Sequence, residues 1–156
     1  MEKPQFPVSV IMQRRTLYNR WQSEAWEPAD VLAGAGEGAP RLVAETPELA
    51  QWLYPGMQIG LRAADADGYF LNLSTNEPCV FVLWRLEEGH AVPHHLTLSY
   101  SEASSWMDAG EQVDRVPMPR EIYDWASAFV QQHYRPPVKH KVRPQSFKSP
   151  KDRASG

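Results

Sequence analysis

The run from Pro78 to Leu86, Pro-Cys-Val-Phe-Val-Leu-Trp-Arg-Leu, places bulky apolar side chains at odd and even positions alike. Successive residues of a strand point to opposite faces, so a strand that is apolar throughout must be covered on both sides. This segment therefore reads as a central strand with a packed layer above and below it. A chain of 156 residues fits one domain. The reading divides it into a single α+β domain, 1–134, and a basic, proline-containing tail, 135–156, expected to be disordered.

That boundary follows from charge. Residues 135–156 hold seven Lys/Arg against one acid, a net of +6, whereas residues 1–134 hold nine against eighteen, a net of −9. The tail has Pro136, Pro137, Pro144 and Pro150 but only Val138, Val142 and Phe147 as bulky apolar residues. Too little can be buried there to offset the entropy of ordering it. Its bases Lys139, Lys141, Arg143, Lys148, Lys151 and Arg153 form a cationic arm. Such an arm suits either a polyanion or an acidic protein surface, or serves only as a solubilising tail with no specific partner. The acidic body repels phosphate, which makes nucleic acid the weaker of these two partners.

Periodicity marks out the remaining elements. Val8, Val10 and Met12 share one face of a strand over 8–14. Residues 29–33 and 41–45 read as short strands around the Gly-Ala-Gly-Glu-Gly-Ala-Pro loop, 34–40, whose glycine spacing is not that of a phosphate-binding loop. Thr46-Pro47-Glu48 reads as the start of a short helix running to Tyr54, with Pro55-Gly56 as the turn that follows it. A meander follows over 57–63, 68–73, 78–86 and 91–99, with Asp65-Ala66-Asp67-Gly68 as one of its hairpin turns. Two C-terminal helices close the pattern. The first spans 101–109 with Ser101 as N-cap. The second runs from Pro119 to Tyr134, with Ile122, Trp125, Ala126, Phe129 and Val130 on one stripe. The fold class is thus α+β: a curved, mostly antiparallel sheet, barrel-like, of five to seven strands with two C-terminal helices.

Chemistry is harder to place. Cys79 is the single cysteine, so no intrachain disulfide can form. It lies inside the central apolar run, with no basic residue near it in sequence to activate it. His90, His94 and His95 match no zinc spacing, and in a strand His94 and His95 face opposite sides. An enzyme site around His94 or His95 remains one alternative, but no catalytic, cofactor or metal set can be assembled. No apolar stretch is long enough to cross a bilayer, and Met-Glu-Lys-Pro-Gln-Phe-Pro lacks the apolar middle of a signal peptide. A reduced cytoplasm is the expected compartment.

The least ordinary block is Arg14, Arg15, Arg20, Trp21 and Trp26, which holds three of the nine bases of the body. Guanidinium forks suit carboxylates and phosphates, and indoles anchor interfaces. The block reads as a surface for a partner or an anion. The alternative is an edge segment whose indoles fold back into the core while its arginines pair with acids.

Several stretches together resemble a small bacterial family of domains of unknown function, encoded beside molybdenum-dependent formate dehydrogenase genes. They are Val8 to Arg15 leading into Trp21 and Trp26-Glu27-Pro28, Val31-Leu32-Ala33-Gly34, Tyr69-Phe70-Leu71-Asn72-Leu73-Ser74, Pro78 to Arg85, Leu96 to Ala103, and Gly110-Glu111 through Val116-Pro117-Met118-Pro119. The resemblance implies a non-enzymatic accessory protein that assists the maturation or maintenance of that enzyme. Its partner would be the catalytic subunit of formate dehydrogenase or the machinery delivering its cofactor. A nucleic-acid-binding module working through the basic arm is the remaining alternative.

Overall fold

The apolar run does form the middle strand of a sheet. A computed structural model describes residues 4–136. In chain order these form β1 (Gln5–Thr16), β2 (Glu24–Ala33), β3 (Arg41–Glu45), β4 (Leu49–Gly60), a short 3₁₀ turn (Ala63–Asp65), α1 (Ala66–Leu73), β5 (Cys79–Glu87), β6 (His90–Thr97), α2 (Tyr100–Asp108), β7 (Gln112–Pro117) and α3 (Arg120–His133). The strands make two antiparallel sheets, β2-β1-β4-β3 and β6-β5-β7. The α+β class stands, but the single barrel-like sheet does not. The reason is the connection after β4, where a helix replaces the expected hairpin and breaks the meander in two.

β5 has both faces covered. Val80, Val82 and Trp84 join Val8, Val10 and Met12 of β1, Val31, Ile59, and Ile122, Phe129 and Val130 of α3 in the main core between the sheets and that helix. Cys79 and Phe81, on the other face, pack with Ala103 of α2, flanked by Tyr100 and Val113. The buried stripe of α3 follows the expected spacing, except that Trp125 is only partly buried and leans on Phe6, ring centroids 5.2 Å apart.

Three local expectations fail for identifiable reasons. Residues 46–54 are no helix: Thr46 Oγ1 accepts from the Leu49 amide at 3.1 Å in a tight turn, and the chain then enters β4 opposite β1 and β3. Pro55-Gly56 is no turn but a bulge inside β4, where the β1 pairing steps from Val8↔Met57 to Val10↔Tyr54. Gly56 sits there at φ +79°, a conformation glycine adopts without steric cost. Residues 66–73 form α1, a third helix, in place of a turn and a strand. A short apolar run such as Tyr69-Phe70-Leu71 does not distinguish the two, and the buried spacing Ala66, Tyr69, Asn72 is helical.

α2 starts two residues earlier than expected. Ser99 is its N-cap, accepting from the Glu102 amide at 3.2 Å, and Gly110 follows the helix at φ +89°. Gly68 of α1 faces this cap so closely that a Cβ there would lie 2.7 Å from Ser99 Oγ. Helix propensity alone makes Gly68→Ala stabilising by about 1 kcal/mol. The contact reverses the sign, because Ser99 must leave its capping position or the helices must separate. Gly68→Ala is expected to lower stability by about 1–2 kcal/mol, read as a shift of the urea midpoint.

Candidate interaction surface

The five singled-out residues split into three environments. Even-numbered residues of β1 point into the core, and Arg14 continues that face past Met12 to the rim. Its neighbour across the ladder is Trp26 on β2, and Trp52 of β4 stands opposite Met12. The Arg14 guanidinium lies 5.4 Å from the Trp52 ring centroid and 5.9 Å from that of Trp26. The two indoles are 5.3 Å apart, and His90, the first residue of β6, closes the group at 5.3 Å from Trp52 and 5.5 Å from Trp26. The Trp26 indole N–H donates to Glu24 Oε2 at 3.0 Å. Arg14 is thus held by cation–π contacts beside a group of tilted and edge-on aromatic rings.

Arg15 points to the opposite face and is already paired. Its Nε lies 2.5 Å from Glu27 Oε2, and Gln13 donates to the same oxygen at 2.6 Å. The hydrogen bond from Arg15 holds the Glu27 carboxyl below its ordinary range, with partial burial opposing the shift.

Arg20 and Trp21 sit on the loop joining β1 to β2, which is built as an ordered tip. Asn19 Oδ1 accepts from the amides of Trp21 (2.9 Å) and Gln22 (2.7 Å), and the Leu17 amide donates to the Ser23 carbonyl at 2.9 Å. The tip holds Trp21 84% exposed and Tyr18 81% exposed, with the Arg20 guanidinium 5.4 Å from the Trp21 centroid. The block therefore combines both alternatives: Trp26 and Arg15 fold back and pair, while Arg20 and Trp21 stand in solvent.

Trp52 and His90 belong to the cluster but escape a reading of the sequence, because Trp52 falls in the segment expected to be helical and His90 in a turn. The register of β4 against β1 is the signal that reveals them. Elsewhere, His94 Nε2 lies 2.6 Å from Glu87 Oε2, and the His94 and His95 rings are 6.4 Å apart. No group of three or more metal-ligating side chains occurs among the described residues. Cys79 does have a basic neighbour that sequence proximity hides. Arg115 approaches it from β7, yet burial keeps the thiol above its ordinary range. No described helix is long and apolar enough to cross a membrane. The basic arm, Lys139 to Arg153, lies outside the described residues.

Among the described residues, two antiparallel sheets, three α-helices and an aromatic hairpin tip define an α+β domain whose most exposed apolar side chains gather on one loop. Residues 7–143 match the family of proteins of unknown function DUF3305, and the chain belongs to that family. No curated protein and no solved structure matches it significantly. The family match carries no link to formate dehydrogenase genes.

Two outcomes follow for this surface. Arg14→Ala removes the cation beside two indoles and is expected to cost about 0.5–1 kcal/mol, with a shift in tryptophan emission that reports the altered cluster. Because the folded-state pKa of Glu27 is depressed, its contribution is present above the unfolded-state pKa and lost as pH falls through the folded one. The urea-midpoint gap between the parent chain and Glu27→Gln is therefore expected to be widest near neutrality and to close on acidification.

Proposed function

We propose that this chain is a non-enzymatic cytoplasmic accessory protein that docks onto the catalytic subunit of a molybdenum-dependent formate dehydrogenase, or onto the machinery delivering its cofactor, and assists its maturation or maintenance. The enzyme is named by the sequence resemblance. The docking mode rests on one observation: an ordered tip that keeps Trp21 and Tyr18 almost wholly in water with Arg20 stacked on the indole.

An isolated domain gains nothing by exposing an indole that could bury some 150–250 Å². Trp, Tyr and Arg are the side chains that most often dominate binding energy at interfaces. A tip fixed by an Asx turn loses little freedom on binding, so more of the contact energy appears as affinity. Arg14 and Arg15 act behind the tip, the first supporting the aromatic group and the second fixing β1 to β2 through Glu27. The cationic arm adds long-range attraction toward an acidic partner.

The test is binding of purified full-length chain to the catalytic subunit, measured by biolayer interferometry. Trp21→Ala is expected to weaken binding about 30-fold or more, the size of an interface hot spot, with an unchanged thermal midpoint. Arg20→Glu is expected to act in the same direction. Binding that survives both changes would remove the tip from the account. Tight, steeply salt-dependent binding to RNA in place of the subunit would favour the nucleic-acid alternative.

A further inference from the structure

A cleft of about 930 Å³ opens at the far end of β5 from the aromatic cluster. It is walled by the α1–β5 loop (75–78) with Cys79, by Tyr100 at the start of α2, and by the end of β7 (115–117) with Met118. Its volume lies within the range that holds small organic ligands, roughly 300–1,000 Å³.

The walls are fixed before any ligand arrives. The Asn72 side-chain amide, fully buried, donates to the Cys79 carbonyl (2.7 Å) and the Leu98 carbonyl (2.9 Å), and its oxygen accepts from the Cys79 amide (3.0 Å). Thr75 Oγ1 donates to the Asn72 carbonyl at 2.8 Å. The Met118 amide donates to the Pro78 carbonyl at 3.0 Å, tying the two sides of the opening together. A pre-set wall spares a ligand the cost of ordering it.

One charged group in this wall stands out. Arg15, Arg62, Arg85 and Arg120 pair with carboxylates, Arg14 and Arg20 stack on indoles, and Arg41 and Arg135 donate to backbone carbonyls. Among the described residues Arg115 alone has none of these partners. It stands across the ladder from Phe81, beside the Cys79 thiol. Glu77 lines the same cleft and forms no ion pair among the described residues, so it opposes a second negative charge on any occupant. Pro78, Val116, Pro117 and Met118 give the remaining wall an apolar character.

We propose that this cleft binds a small organic monoanion with an apolar body, its anionic group held by the Arg115 guanidinium and its body laid against Met118 and Pro117. The site is separate from the hairpin tip and does not rest on the docking reading. A carboxylate matches a single guanidinium fork in a bidentate pair and brings only one negative charge beside Glu77. A phosphate ester, dianionic near neutrality, meets Glu77 as well.

The experiment is a titration of ¹⁵N-labelled full-length chain followed by NMR, with 4-phenylbutyrate, phenyl phosphate, inorganic phosphate and 4-phenylbutylamine as separate probes. 4-Phenylbutyrate is expected to shift the Arg115 Nε–H signal and the amides of 75–79 saturably, and 4-phenylbutylamine to leave them in place. Arg115→Ala is expected to weaken 4-phenylbutyrate at least tenfold, Arg115→Lys less. Glu77→Gln is expected to tighten phenyl phosphate selectively. The proposal falls if inorganic phosphate reproduces the shifts, if Arg115→Ala leaves affinity unchanged in a folded protein, or if no monocarboxylate of four to ten carbons moves these signals.

Discussion

Burying β5 on two faces takes water away from its backbone as well as its side chains, so its amides and carbonyls need protein partners along both edges. β6 and β7 supply them, Phe81 facing Thr97 on one side and Arg115 on the other. The first sheet and α3 then close one face, and α2 the other. The weak point is where β5 begins, because its first residue has left the α1 loop and lies at the edge of the ladder. Asn72 meets that need: one buried side chain satisfies both backbone groups of Cys79 and ties them to the Leu98 carbonyl. A buried amide so fully used stabilises chiefly because leaving its partners bare would cost more than the bonds gain.

The strand that organises the core was legible because its pattern has one physical solution. An unbroken apolar run of strand length has to be covered twice, and of the two C-terminal helices α2 carried its Gly110 stop and α3 its 3.6-residue stripe, although the cap of α2 is Ser99 and not Ser101. What stayed hidden depended on contacts between segments far apart in sequence. Leu49 to Tyr54 looks helical locally, behind Thr46-Pro47, but β1 is twelve residues long and offers its edge to β4, a strand of the same length. Tertiary pairing overrode the local signal there. At α1, Asp-Ala-Asp-Gly resembles a turn, yet Gly68 is needed for close approach to Ser99 and not for chain reversal. The barrel-like expectation followed directly from that misread segment.

The site was legible in composition and illegible in arrangement. Three arginines and two tryptophans within thirteen residues marked the β1–β2 region, but a two-residue period decides which of them meet. Arg14 and Arg15 point to opposite faces, so one joins the rim of the core and the other an ion pair. Trp52 and His90 enter only once the register across three strands and a hairpin is known. Arg115 was invisible for the same reason: it lies 36 residues from Cys79 in sequence, yet across the ladder it faces Phe81 and so stands diagonally beside the Cys79 thiol.

The two surfaces stand at opposite ends of one rigid element. β5 runs nine residues from Cys79 in the cleft to Glu87, three residues short of His90 in the aromatic cluster. At about 3.3 Å per residue that is a separation of roughly 25–30 Å. Charges so far apart in salt exert little direct force on each other, since the screening length is near 8 Å. Any coupling between a bound anion and a docked partner would therefore have to pass through the packed elements between them, β5 among them. β5 is packed on both faces and hydrogen-bonded on both edges, and a strand held that way has little freedom to shift its register. An anion bound at the proposed cleft and a partner docked at the proposed hairpin tip would on that ground act independently.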